Sequence, residues 1–420
     1  FRESGSFLIC GANSIVAEYR KGFTVLWLFL KMTMLMLVLC CVGLELSSAL
    51  GHRQTPEQCQ HGLYPPSNST NVETFIINLD LTPSERWNEL AAAKKSEVVK
   101  IHSVLKNLLE SILEGRILSL IDSHMPRLLN SLPSPFKEEI IALSNHSGLP
   151  LGEVVLYNVF YEFFTVCTSI VAENSKGKLY HARNLDFGIF LGWDARNHTW
   201  AMTEALRPTI VNLDFQRSGK TVFKAAGFAG YVGILTAIKP NAFTLTVNER
   251  FALDGGYIGI IEWLLGDHSE HWVGFLTRQI MENVTDYETA KNTIIRTELI
   301  APAYFILGGN KSGEGMILTK DRNSQMSDVY RLEDTPEKWF LLETNYDHWK
   351  TPPSYDDRRN PGMNCMRNMS QQNVGFDGLF NVLSSQPVLN QLTTYTALME
   401  VSTGKLDTYI QDCRDPCTLF

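Results

Sequence analysis

The spacing of apolar residues changes once along the chain, near position 167. Upstream, Val98, Ile101, Leu105, Leu108, Ile112 and Leu113 recur at helical spacing. Thr82-Pro83-Ser84-Glu85 has the make-up of a helix start: a hydroxyl cap, proline in the first turn and a carboxylate three residues on. Ser134-Pro135 opens a second helix, expected through about Ala142, and a third is expected from about Leu151 to Phe164. Residues 82–164 therefore read as helical and apolar on one side, with most of the 98–164 faces packing against the rest of the chain. Residues 51–81 are polar, carry Pro65-Pro66-Ser67 and read as an extended lead-in.

Downstream, alternation replaces the helical period. Thr168–Ala172 and Lys178–Ala182 flank Asn174-Ser-Lys-Gly177 and predict a hairpin. Strands are expected at about 208–215, 221–226, 231–237 and 243–247, then helices over about 257–296 with a capping box at Thr285-Asp-Tyr-Glu288. Strands return at 303–308, 315–319, 328–332 and 339–345. A helix over 375–384 and a hairpin over 394–410 turning at Gly404 complete the chain. Helices first and then strands, without repeats, predict an α+β protein with helices over antiparallel sheets.

The front of the chain is a different kind of segment. Lys31 followed by the apolar run Met32–Val42 and by Ser47-Ser48-Ala49 reads as a signal peptide with its cleavage site. A membrane anchor would run back to Val25, but Lys31 interrupts it. Residues 1–31 are expected to lie upstream of the working protein. Asn68, Asn145, Asn197, Asn283, Asn310 and Asn368 each head an N-x-[ST] triplet, which in a secreted chain predicts a glycoprotein. With 420 residues and 44% hydrophobic composition the chain can bury a sizeable core. The net charge of -8, with no basic stripe, argues against a nucleic-acid partner. No His/Cys/Asp cluster has metal-ligand spacing, so no metal or cofactor is expected.

Past the presequence the cysteines are Cys59, Cys167, Cys365, Cys413 and Cys417. An odd number in an oxidising compartment leaves one thiol free. Cys413-Arg-Asp-Pro-Cys417 invites a local loop, which would leave Cys59 and Cys365 as a long-range pair and Cys167 as the free thiol. Any four cysteines allow three pairings, so all three remain open at this point.

Cys167 stands where the helical period gives way to strands. If the backbone were cut before it, its α-amine (ordinary pKa about 7.7–8.0) could take the thiol proton (about 8.5) without a histidine. Taken alone, a cysteine here would more often be a buried structural residue. The surrounding blocks change that balance: Cys167-Thr-Ser-Ile-Val-Ala, His181-Ala-Arg183-Asn184-Leu185-Asp186-Phe187, Asn212-Leu-Asp-Phe-Gln-Arg217, Phe228-Ala-Gly-Tyr-Val-Gly233, Thr246-Val-Asn-Glu-Arg250, Ile306-Leu-Gly-Gly-Asn310, Glu343-Thr-Asn-Tyr-Asp347 and Asp356-Asp-Arg-Arg359. In this order, over about residues 55–420, they resemble the cholylglycine-hydrolase branch of the N-terminal-nucleophile hydrolases, and within it the members that cleave lipid amides.

That resemblance implies an αββα sandwich of antiparallel sheets, with a helical α chain (50–166) packed on a catalytic β chain (167–420) behind a presequence (1–49). It implies autocleavage between Val166 and Cys167, with Cys167 as nucleophile. Arg183 would buttress the thiolate, Asp186 would hold the new α-amine, Asn345 and Asn248 would donate to the oxyanion, and Arg358 would complete the charged floor, with Glu249 nearby. It assigns Cys59–Cys365 as the link between the two chains and Cys413–Cys417 as the terminal loop. The implied substrate is ceramide, with fatty-acid ethanolamides as the alternative. The implied setting is the lysosome or the secreted pool, with a saposin-type helper and an anionic membrane surface as partners. Two other readings compete: a catalytically dead lipid-binding glycoprotein, and a Cys–His peptidase, for which no histidine lies in a partner motif.

Overall fold

The computed structural model describes residues 59–413 and 417, apart from 67–69, 114–128, 161–164, 188–191, 195, 197–198, 252–258, 260–261, 264–265 and 323–326. The presequence, Asn68 and Asn197 lie outside the described residues.

Two sheets form the centre, and a separate two-stranded ribbon pairs β5 (Trp193–Asp194) with β6 (Thr199–Trp200). One central sheet has six strands in the order β1 (Thr70–Asn71), β16 (Lys405–Ile410), β15 (Thr393–Glu400), β4 (Leu179–Phe187), β3 (Thr165–Glu173), β14 (Phe340–Glu343). The other has eight: β13 (Asp328–Arg331), β12 (Gly315–Lys320), β11 (Ala303–Gly309), β10 (Phe243–Glu249), β9 (Thr236–Lys239), β8 (Lys220–Phe228), β7 (Ile210–Arg217), β2 (Thr74–Asn78). β10, β11 and β12 pack on β3 and β4. The period-2 alternation of β3 sends Ile170 and Ala172 outward, into a core with Met366, Leu379, Phe380 and Leu383 of the Arg359–Met369 and Phe376–Leu383 helices. Val171 points inward, against Ile306 and Ile317 of the other sheet. The layers are those of an αββα sandwich, and the catalytic candidates on odd positions of β3 and β4 fall between the sheets.

The Asn88–Ala93, Lys95–Leu113, Phe136–Ser147 and Leu151–Phe160 helices lie where the helical period placed them. Val98, Ile101 and Leu105 are buried in the core shared with the eight-stranded sheet, while the side chains of 108, 112 and 113 lie outside the described residues. The block Phe228–Gly233 is where the last of these helices docks. Asn158 donates to Val154 O and Gly230 O and accepts from the Val232 amide at 2.8 Å, and Gly230 holds a positive φ of 86° beneath the Tyr157 ring. That wrapping explains why residues 231–235 are loop rather than the expected strand, which begins only at Thr236. A second tie is ionic: fully buried Arg278, ringed by Trp87, Phe136 and Phe215, donates to Glu139 at 2.8 Å.

Other expectations need correction. Thr82–Glu85 bond to each other in turns ahead of the helix, which begins at Asn88. The Tyr287–Arg296 helix is capped by Asp286, which accepts from the Thr289 amide at 2.8 Å, not by Thr285. The lead-in holds strand β2, parallel to β7, with Phe75 and Ile77 buried and Thr74 and Ile76 outward. The Arg359–Met369 helix was not anticipated.

Cys59–Cys365 and Cys413–Cys417 are disulfides, and Cys167 is the free cysteine among the described residues, as the loop-and-remainder pairing expected. Both sides of position 167 belong to one compact unit, Glu57–Phe420, and β3 runs unbroken through it.

Candidate active site

Strand geometry decides which atoms of Cys167 its neighbours reach. Cys167 pairs with Leu185 and Ser169 with Arg183, so Arg183 lies diagonal to Cys167 on the same inner face. Its Nη2 donates to the Cys167 sulfur at 2.5 Å. Its two terminal nitrogens are further held by the Val247 carbonyl and Thr236 Oγ1 of the facing sheet and by the Leu235 carbonyl of the loop that leads into it. Asp186 is three residues on, an odd spacing that places it on the opposite face of β4. There it accepts from Thr393 Oγ1 at 2.6 Å and from Asn390 Nδ2 at 3.2 Å, and pairs with Arg358 at 3.4 Å. One partner therefore meets the thiol, and the other is tied to the cysteine's backbone only through Arg358.

Arg358 joins these groups. Its Nη1 donates to Cys167 O at 2.8 Å, its Nη2 to Asn345 Oδ1 at 2.9 Å, and Asp356 grips it at 2.7 and 3.1 Å. Asn345 Oδ1 also accepts the Cys167 N–H at 2.9 Å, while its Nδ2 donates to Glu249 O and, at 3.3 Å, to Thr165 O. Asn248 uses its Nδ2 on Glu343 O and Thr344 O and accepts from Ser169 Oγ. In this form its amide thus holds the strand end that carries Asn345 rather than facing the thiol. Glu249 Oε2 accepts the Thr165 N–H at 3.1 Å, one residue before the Val166–Cys167 bond. The seven expected residues thus converge on one point. Asp356, Asn390, Thr393 and Thr236, which hold them, were not singled out. Asp356 lay inside a matching block, but Asn390 and Thr393 carried no local signal.

The block 246–250 clasps the block 343–347. Besides the Asn248 contacts, Arg250 forks onto Asp347 at 2.7 and 3.1 Å, and the Tyr304 hydroxyl donates to Asp347 at 2.7 Å. Among the described residues no group of His, Cys, Asp and Glu could hold a metal.

Burial governs the charges. It pushes the Cys167 thiol up against the pull of Arg183, so the thiol of the intact chain holds its proton. Burial lifts Asp186 to about 6 despite Arg358, and lifts Glu249 and Glu343 to about 8 each. A carboxyl whose pKa rises on folding favours the folded state only while protonated, so stability falls as pH climbs towards that raised value. His102 and His181, pushed by burial to about 4 and about 3, act in the opposite sense, but only below their ordinary value of 6.5. Between pH 6.5 and about 8 the two glutamates act without that opposition. The urea midpoint of an uncleaved chain is therefore expected to be lower at pH 8 than at pH 6.5, and an equal or higher midpoint would contradict this.

The family model for linear amide C–N hydrolases of the choloylglycine hydrolase family matches residues 167–360, beginning on Cys167 itself. A model described as the beta subunit of N-acylethanolamine-hydrolyzing acid amidase matches residues 70–132. Human acid ceramidase is 50% identical over 388 residues, covering 90% of this chain and 98% of that protein. Acid ceramidase of Bos taurus is 48% identical over 365 residues, covering 86% and 92%. Among solved structures, the Caenorhabditis elegans N-acylethanolamine-hydrolyzing acid amidase ortholog superposes with a TM-score of 0.50 at 32% identity, over 59% of this chain and all of that one. A chain half identical to a relative along nine-tenths of its length, with a family model starting on its free buried thiol, belongs to the acid ceramidase branch of the choloylglycine hydrolase family, enzymes that hydrolyse linear amide C–N bonds.

Proposed function

We propose that this enzyme hydrolyses the amide of ceramide to sphingosine and a fatty acid in the lysosome, after cutting its own chain between Val166 and Cys167. The observation that carries the reading is the setting of Cys167: a free buried thiol under Arg183, with its backbone nitrogen on Asn345 and its carbonyl on Arg358.

Activation balances as follows. The Cys167 thiol adds to the Val166 carbonyl carbon and the C–N bond breaks. The thiol proton ends on the departing nitrogen, and water hydrolyses the thioester to a carboxyl and a free thiol. The new α-amine keeps Asn345 Oδ1 as an acceptor and comes within the field of Asp186. Withdrawal of Thr165 frees the Asn345 N–H that it holds, which then serves the oxyanion, with Asn248 fixing that strand end behind it. Glu249 anchors the segment ahead of the cut. In turnover the α-amine takes the thiol proton, the thiolate attacks the substrate carbonyl, the amine leaves with a proton from the α-ammonium, and water releases the fatty acid. The fragments 50–166 and 167–420 stay joined by Cys59–Cys365, β2 and the Glu139–Arg278 pair.

A lipid amide suits the surroundings. Phe251, Trp349 and Tyr355 are 41%, 53% and 49% exposed, and Phe251 packs at 5.7 Å on Tyr346, next to Asn345. Such aromatics suit an anionic membrane surface or a saposin-type helper. Secretory entry is supported by the two disulfides and by exposed Asn145, Asn283, Asn310 and Asn368. No helix among the described residues is long and apolar enough to cross a membrane.

The test is N-terminal sequencing of the reduced fragments after incubation at acid pH, with ceramide and a fatty-acid ethanolamide as parallel substrates. The reading expects a fragment beginning Cys-Thr-Ser-Ile-Val and faster turnover of ceramide. A chain that stays whole yet hydrolyses ceramide rules out the α-amine as base. One that stays whole and inactive favours lipid binding, and faster ethanolamide turnover moves the substrate to the sister amidase.

A further inference from the structure

Between the sheets, beside Arg183, runs a chain of polar groups that ends on Asn248 and whose other members the mechanism above does not use. Thr244 Oγ1 lies 3.0 Å from Gly308 O and 2.8 Å from His181 Nδ1. His181 Nε2 lies 3.0 Å from Thr246 Oγ1, which is 2.9 Å from Ser169 Oγ, which is 3.0 Å from Asn248 Oδ1. Every side chain in it is buried. Both ends only accept. Gly308 offers a carbonyl, and Asn248 must present its oxygen because its Nδ2 is engaged by the Glu343 and Thr344 carbonyls.

The five contacts need five protons. The three hydroxyls supply three and a neutral imidazole one, so the neutral ring leaves two acceptors facing each other in a dry site. The imidazolium supplies the fifth proton and satisfies every contact in one direction: His181 to Thr244 to Gly308, and His181 to Thr246 to Ser169 to Asn248.

We propose that His181 is a positioning residue of the active site, which by carrying protons on both ring nitrogens fixes Asn248 and, through the Glu343 and Thr344 carbonyls, the strand end that bears Asn345. The inference rests on the hydrolase reading only for what it does to turnover.

The charged group that bears on the ring is Arg183 of its own strand. Its cross-strand neighbours Val171 on β3 and Met399 on β15, and the facing Thr244, Thr246 and Gly308, are neutral. Burial and Arg183 push the ring down to about 3. The contact that a neutral ring leaves without a proton pushes the other way, because only the imidazolium satisfies all five. The strand end is held fast in acid and loosened as pH rises.

Two-bond proton–nitrogen spectra of histidine-labelled protein, assigned with His181→Gln, read the ring without substrate. The expected result is protonation of both nitrogens at pH 4 and a single tautomer at pH 6.5. Thr246→Val removes the acceptor of Nε2–H at nearly constant volume. It is expected to move that transition down by about one pH unit, and the alkaline limb of kcat with it, leaving KM in place. A neutral ring at pH 4, or a transition and kcat limb that Thr246→Val leaves unmoved, overturns the proposal. If the ring titrates as described in a chain that hydrolyses no amide, the proton chain is supported and the hydrolase reading fails.

Discussion

Cys167→Ala is expected to remain a single chain and to lose amide hydrolysis by at least about a thousandfold, because it removes the atom that both bonds must form on. The loss should be chemical and not structural. Taking one sulfur out of the core costs about 1–2 kcal/mol. Arg183 keeps three of its acceptors, Leu235 O, Thr236 Oγ1 and Val247 O, so no buried cation is stranded. The backbone N–H to Asn345 does not involve the side chain. Reducing gels, a urea transition close to wild type and release of fatty acid from a labelled ceramide read the three parts separately. A variant that still splits into two fragments would show that something other than this thiol makes the cut.

Arg358→Leu is expected to fail in a different way, by about 3–5 kcal/mol of stability as well as by loss of cleavage. Its guanidinium is the buried counter-charge of Asp356 and Asp186, and its removal leaves both carboxylates uncompensated. The Asp186 pKa, which burial lifts to about 6 even against the pull of Arg358, would rise further. Adding Asp356→Asn removes one stranded charge and should return part of the stability without returning cleavage, since Cys167 O and Asn345 Oδ1 still lack the Arg358 guanidinium. Urea midpoints of the single and double variants, beside the fraction of chain cut at acid pH, separate these effects. Full recovery of cleavage in the double variant would reduce Arg358 to a structural ion-pair partner.

The strands and helices with strong local periods were legible residue by residue. The hairpin at 168–182, the strands 303–308 and 315–319 and the Gly404 turn, where φ is 65°, all formed near their expected places. What failed depended on distant partners. Thr74–Asn78 is five residues long and becomes a strand only because β7 lies beside it in parallel. Residues 231–235 have strand composition but are drawn into a loop around Asn158.

The same division runs through the site. Sequence pointed to Cys167 as the odd thiol at the change of period, and the resemblance carried by the short blocks around it implied Arg183, Asp186, Asn345 and Arg358 as its companions. Only the tertiary structure decided which atom each one meets. The alternation of β4 sends Arg183 to the thiol and Asp186 to the other face, and the clasp between 246–250 and 343–347 aims Asn248 at a strand end. Burial decided the protonation of Cys167, Glu249 and Glu343, since the cost of a buried charge depends on what surrounds it in space and not on its neighbours in sequence.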